Sequence, residues 1–169
     1  NVIVDTVYAN PENPQIKTVN ISSSKTEKFA FELSTETNKA ELANEVEEYI
    51  FEPNAAVLKS GAFNTIACSF HLKKLAINSH LYTGNALLPN FPGKMYRVEE
   101  VAAAYKLKGK YKNVSIATRN FPDKPETIRK RLKISDGNDF KLFATTIAKS
   151  KVFIVGIVVD DNLNTVQDK

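Results

Sequence analysis

The side chains best placed to do chemistry in this chain are cations. In the stretch IATRNFPDKPETIRKRLKISDGNDFKLFATT, residues 116–146, Arg129, Lys130, Arg131 and Lys133 crowd together. Upstream, Lys106, Lys108, Lys110 and Lys112 fall at every second position among Tyr105 and Tyr111, and Arg119 follows. Residues 106–133 hold 10 Lys or Arg against 2 Asp or Glu. Ammonium and guanidinium groups at this density neutralise phosphates, and interleaved tyrosine rings offer faces for bases. A polyanion surface, RNA above all, is the functional reading. The plain alternative is a solvated face for the cations and half-buried packing for the tyrosines.

No other constellation competes. Cys68, His71 and His80 contain the CSFH spacing of two metal ligands, but no fourth ligand accompanies them, and a buried thiol with two polar histidines is expected. SDGND, residues 135–139, resembles part of a calcium loop without its remaining ligand positions or terminal Glu, so it reads as a turn. The carboxylates of VEEYIFE read as the solvated face of a helix. GxGxxG and GxxxxGK[ST] are both missing from the sequence, as is any Asn/Asp-Pro-Pro-aromatic motif. No residue is assigned a catalytic, cofactor-binding or metal-binding role.

These cations must be positioned by the elements around them. NVSIAT reads as a β-branched strand and PETIRKRL as a helix with Pro125 in its first turn. Asp123 is expected to cap that helix, with Glu126 at capping-box spacing. Ile128 and Leu132 share one face, which should bury against a sheet. Lys130 points outward, Arg129 and Arg131 flank the apolar stripe, and Glu126 can pair with Lys130. Most of this positive charge is then free for a partner. FKLFATTIAKSKVFIVGIVV reads as two strands joined by a polar turn, the second apolar enough to be a central strand covered on both faces.

Earlier in the chain, IKTVNI and EKFAFEL predict a hairpin around SSSKT. Ser34 or Thr35, followed by Leu42, Val46 and Tyr49 or Ile50, predicts an acidic helix ended by Pro53. NAAVLKSGAF predicts a short helix closed by Gly61, SHLYTG a strand, and MYRVEEVAAAY another. NALLPNFPGK is the natural boundary. Strands and helices are mixed without regular βα alternation, so the fold class is α+β, in two small sheet-and-helix subdomains over 1–95 and 96–169.

The totals agree with this. The chain has 169 residues, 43% hydrophobic and 25% charged, as in ordinary globular proteins. Its net charge of +4 is uneven: residues 1–95 hold 8 Lys or Arg and 10 Asp or Glu, residues 96–169 hold 15 and 9. With one cysteine, no signal peptide in view and no apolar run of membrane length, a cytoplasmic setting is expected.

Long strings also carry a family resemblance. YIFEPNAAVLKSGAFNTIA, KKLAINSHLYTG and FPGKMYRV resemble the ferredoxin-like domain that follows the catalytic domain in a family of class I S-adenosylmethionine-dependent methyltransferases, many of them from Bacteroidetes. TRNFPDKPETIRKRLKISDGNDFKLFATT resembles the THUMP-like domain that ends the same proteins. The resemblance implies a ferredoxin-like domain at 1–95 and a THUMP-like domain at 96–169. It also implies that this is a C-terminal region, with S-adenosylmethionine held by an upstream catalytic domain of the same polypeptide and none held here. THUMP domains bind RNA, so RNA and the upstream domain are the expected partners. The expected nucleic-acid contacts are Arg119, Arg129, Lys130, Arg131, Lys133, Lys106, Lys108, Lys110 and Lys112. A reading from a different class is a structural module for interdomain docking or dimerisation, its basic charge incidental.

Overall fold

The computed structural model describes residues 1–7 and 11–159. Strands β1 (Val2–Val7), β2 (Gln15–Ile21) and β3 (Thr26–Glu32) form an antiparallel sheet in that order. The β2–β3 hairpin turns where SSSKT predicts it, the Ser22 hydroxyl bonding both backbone groups of Lys25. Alternation in β2 sends Ile16 and Thr18 inward, and β3 contributes Phe29 and Phe31. Such period-two patterning commits one face of a sheet to a core.

The helix expected across 34–50 does not form. Leu33–Thr37 make a single 3-10 turn, and Tyr49–Pro53 are strand β4. Two tertiary contacts override the helical pattern. The Glu36 carboxylate accepts the amides of Asn64 (2.7 Å) and Thr65 (2.8 Å), the first donors of helix α2, Thr65–Ser69. Leu42 then bridges in parallel to Lys74, whose carbonyl accepts the Ala43 amide at 2.8 Å. Bonds that satisfy a helix terminus and extend a sheet outweigh a propensity of a few tenths of a kcal/mol per residue.

Helix α1, Ala55–Ser60, forms as NAAVLKSG predicts, with Gly61 left-handed at φ 78° past its end. Asn54 caps it, its side-chain oxygen accepting the amides of Ala56 and Val57, both at 3.0 Å. The remaining elements are β5 (Lys73–Lys74), β6 (Tyr82–Gly84), β7 (Gly93–Ala102), α3 (Ala104–Leu107), β8 (Val114–Thr118), α4 (Pro125–Leu132), β9 (Phe140–Ile147) and β10 (Ser150–Val158).

The strands from β4 onward make one seven-stranded sheet, ordered β5-β6-β4-β7-β10-β9-β8. It is antiparallel except where β8 lies parallel to β9, the α4 segment making the crossover that parallel strands need. β10 sits between β7 and β9 with Phe153, Ile154 and Val155 all buried, the central strand its apolar run implies. Between Val155 and Gly156 its register against β7 shifts, and Glu99 is the bulged residue. The β9–β10 turn carries positive φ at Ala148 and Lys149, the twist that suits a two-residue hairpin.

Among the described residues, helices cover one face of this sheet. Near β4 and β7, α1 and α2 pack Val57, Ile66 and Ala67 on Phe51 and Met95, with Ile16 and Phe31 of the small sheet on their far side. Near β9 and β10, α3 and α4 pack Leu107, Ile128 and Leu132 on Leu142, Phe153 and Val155. The opposite face gathers Ile50, Tyr96, Phe143, Ile154 and Ala117 with Leu75 and Leu81. On this face Arg119, just past β8, donates to Glu52 of β4 at 2.8 Å although three strands lie between β8 and β4. On a flat sheet those strands would lie about 19 Å apart. The sheet is curled, and this face is concave.

Ile128 and Leu132 are 0% and 1% exposed, whereas Lys130 is exposed. Leu132→Ala should therefore cost about 2–4 kcal/mol in a urea melt, and Lys130→Ala no more than about 0.5 kcal/mol. Equal, small effects would contradict this orientation of α4.

Candidate nucleic-acid interface

Helix α4 begins with Pro125 in its first turn, but Asp123 does not cap it: Lys124 is the N-cap residue and no side chain bonds the free amides. Asp123 instead accepts from Arg131 at 2.8 Å. The Arg131 guanidinium also lies over the Phe153 ring, 5.8 Å from its centroid. Arg129 donates to the Val114 carbonyl at 3.0 Å and to the Asp136 carboxylate at 2.8 Å, tying α4 to β8 and to the SDGND turn. Both arginines of the basic helix thus have structural partners. That corrects the expectation that most of its positive charge is free.

The lysines behave differently. The turn and link after α3 run beside the end of α4, with the Gly109 amide on the Leu132 carbonyl at 2.8 Å and the Val114 amide on the Ser135 carbonyl at 3.0 Å. This places Lys106, Lys108, Lys110 and Lys112 alongside Lys130 and Lys133. Lys110 is held by Glu100 at 2.7 Å. The others are exposed and make no ion pair within 4.0 Å among the described residues; that includes the expected Glu126–Lys130 pair. Tyr105 is 77% exposed, but Tyr111 is not available to a base. Its ring packs edge-on against Phe140, 5.0 Å between centroids, and its hydroxyl donates to Glu100 at 2.7 Å. Burial first, then that bond, push the Tyr111 phenol up to about 12. Lys110 and Tyr111 together hold the Glu100 carboxyl below its usual range.

Arg119 lies elsewhere. Its guanidinium donates to Glu52 of β4 at 2.8 Å across the concave face, and Glu52 also accepts the Tyr96 hydroxyl at 3.2 Å. Beside this pair stands Lys141 of β9, its ammonium donating to Ser115 at 3.3 Å and lying 5.6 Å from the Phe143 ring centroid. Burial lowers the Lys141 pKa, Arg119 and Lys94 lower it further, and Glu52 opposes them. The concave face therefore holds a second group of cations, Lys94, Arg119 and Lys141. Sequence reasoning missed Lys94 and Lys141, although a lysine at an inward position of the apolar run FKLFATT is a signal it could have used.

Cys68 is exposed rather than buried. His71 is exposed as well, and His80 stacks on Phe63 at 3.9 Å with its Nδ1 buried and unbonded. Among the described residues no three His, Cys, Asp or Glu side chains converge as a metal site would require. In the SDGND turn, Asp136 receives Arg129 and Asp139 accepts from Asn113 at 2.8 Å. Among the described residues no helix is long and apolar enough to cross a membrane.

Residues 49–92 match the family model of a ferredoxin-like domain, and residues 93–156 that of a THUMP domain-like family. The two matches meet at the first residue of β7. Among solved structures, one described as a "putative methyltransferase" from Porphyromonas gingivalis W83 superposes with a TM-score of 0.74 at 33% identity. The alignment covers 83% of this chain and 37% of that one, so this chain spans little more than a third of its neighbour's length. No curated protein matches.

Two outcomes follow from these contacts. Arg129→Gln should lower stability by about 1 kcal/mol, since it removes a charge-assisted bond from Val114 and a half-exposed ion pair. A melt superimposable on wild type would show those bonds to be idle. His80 is the pH-sensitive group: burial, then Lys74 and Arg119, lower its pKa. The unfolded chain takes up the proton first, so stability should fall as pH drops through about 6.5 and level off below the depressed folded value. His80→Asn, which tolerates the φ of 50° there, should flatten that slope in urea midpoints measured against pH. An unchanged slope would exonerate His80.

Proposed function

From a chain that carries a ferredoxin-like domain followed by a THUMP-like domain, we propose a substrate-recognition region of an S-adenosylmethionine-dependent methyltransferase, one that holds RNA for an upstream catalytic domain. The observation that carries the RNA reading is the ridge of exposed lysines on the THUMP-like domain: Lys106, Lys108 and Lys112 beside Lys130 and Lys133. Lysines with free, solvated ammonium groups suit phosphates, which position a strand without reading its sequence. The neighbour from Porphyromonas gingivalis supports the methyltransferase part, and its greater length leaves room for the catalytic and cofactor-binding parts. In this reading S-adenosylmethionine belongs to the upstream domain, and the setting is cytoplasmic. Arg129, Arg131, Arg119 and Lys110 would reach a strand only through groups already bonded within the protein.

A docking or dimerisation module is the second reading. It draws on strand β1, whose Ile3 and Val4 are 50% and 41% exposed at the edge of the small sheet.

Filter binding of structured RNA over a salt series separates the two. Affinity should fall with salt, with a log–log slope of about −0.7 per phosphate contacted on a single strand. Replacing Lys106, Lys108, Lys130 and Lys133 with Gln should flatten the slope by roughly 2 to 3, with the melting curve nearly unmoved. Absence of salt-dependent binding by the wild type at low ionic strength would end the RNA reading and leave the docking module.

A further inference from the structure

The concave face of the large sheet holds an excess of positive charge that the fold leaves uncompensated. Its cations come from three strands or strand ends: Lys94 on β7, Lys141 on β9 and Arg119 just after β8. Among the described residues, Glu52 is the carboxylate facing them, and both its oxygens are engaged, one by Arg119 and one by Tyr96. Glu27 and Lys25, farther along the same hollow, neutralise each other at 3.0 Å. Lys94 pairs across the strands with Glu52 in the sheet register and is exposed, so its ammonium can swing over the hollow.

The space in front of these groups is real. One cavity of about 290 Å³ is walled by Lys94, Tyr96, Ser115, Phe140 and Lys141. A second, of about 390 Å³, shares Lys94, Tyr96 and Lys141 and runs on toward Ser22, Ser24 and Asn54. The two adjoin at these shared residues, and the second opens the groove toward the β2–β3 hairpin. Its walls offer ammonium groups, hydroxyl donors and an aromatic ring, a set that complements an oxyanion and an attached planar or apolar group.

We propose that this groove is a phosphate-binding site, with Lys141, Lys94 and the Ser115 hydroxyl as the donors to the phosphate oxygens. An incoming phosphate would add to the counter-charge that Lys141 otherwise shares with Arg119 in Glu52, and Ser115 already stands at hydrogen-bond distance from that ammonium. The phosphate is either strand-borne or carried by a small molecule. The groove's length beyond Lys94 favours a strand, and to that extent the inference rests on the RNA reading above. The site is distinct from the lysine ridge, which lies beside α4 on the helix-covered side of the sheet.

Two-dimensional amide NMR of the whole chain provides the test, with inorganic phosphate, adenosine monophosphate and a short single-stranded RNA titrated separately. Saturable shifts confined to Lys94, Ser115, Lys141 and their neighbours are expected with each. Lys94→Gln with Lys141→Gln should weaken these by about tenfold, while Lys141→Arg, which keeps the charge, should retain them. RNA that displaces phosphate from the groove establishes the strand-borne form. Phosphate or nucleotide shifts without any response to RNA would uphold the site and sink the RNA reading. RNA shifts confined to the α3–α4 ridge, or phosphate that moves no groove amide in the folded wild type, would overturn the site while leaving the RNA reading to its own test.

Discussion

Strand β7 has two edges, and each serves a different half of the molecule. One edge pairs with β4, from Gly93 opposite Pro53 to Arg97 opposite Tyr49. The other pairs with β10, from Tyr96 to Ala102. The ferredoxin-like and THUMP-like matches meet at this strand, yet the backbone hydrogen bonds run through it without a break. The consequence is mechanical. Two domains joined by a linker rotate freely, whereas two that share a strand inherit each other's twist. Gly93 shows how tight the seam is, because a Cβ there would collide with the Glu52 carbonyl and the Pro53 backbone. A side chain at 93 would have to force β4 and β7 apart.

The curl of the shared sheet follows, and it divides the charged groups into two populations. On the helix-covered side, arginines act as fasteners. Through the planar fork of the guanidinium, Arg129 bonds a carbonyl and a carboxylate, and Arg131 holds a carboxylate while lying over a ring. Of the lysines around them, Lys106, Lys108, Lys112, Lys130 and Lys133 stay in water and keep their reach, while Lys110 is held by Glu100. On the concave side the arginine is again the fastener, Arg119 closing the hollow by gripping Glu52, but the lysine left over, Lys141, is half-buried with hydroxyl and ring for company.

Much of this was legible in the sequence wherever one local pattern decided the outcome. The β2–β3 hairpin, α1 with Gly61, the buried stripe Ile128–Leu132 and the central position of β10 each rest on periodicity or turn chemistry within a short window. Failures occur where a distant residue outbids the local one. Glu36 leaves a would-be helix to satisfy the amides of Asn64 and Thr65, and Asp123 abandons the cap of α4 for Arg131. The site divides in the same way. The alternating lysines could be counted from the chain, and the fold sets them beside α4. That Arg119 belongs with Glu52, 67 positions away, could not be read without the curl of the sheet.

Lys141 poses the sharpest energetic question. It shares a face with buried Phe143, in a strand where threonine or valine would pack without desolvating a charge. Two further cations stand near it, and the one facing carboxylate among the described residues is already bonded twice. Holding an ammonium there works against folding, and among the described residues no hydrogen bond beyond the long one to Ser115 offsets that cost. A protein that satisfies Glu36, Glu52, Glu100 and Asp136 with specific partners has the means to satisfy this one too. Leaving it short of counter-charge places the tension on a single residue at the wall of an open groove, where an arriving anion would relieve it. Local rules tend to be broken in this fashion at binding sites, the stability forgone in the empty protein returning as affinity.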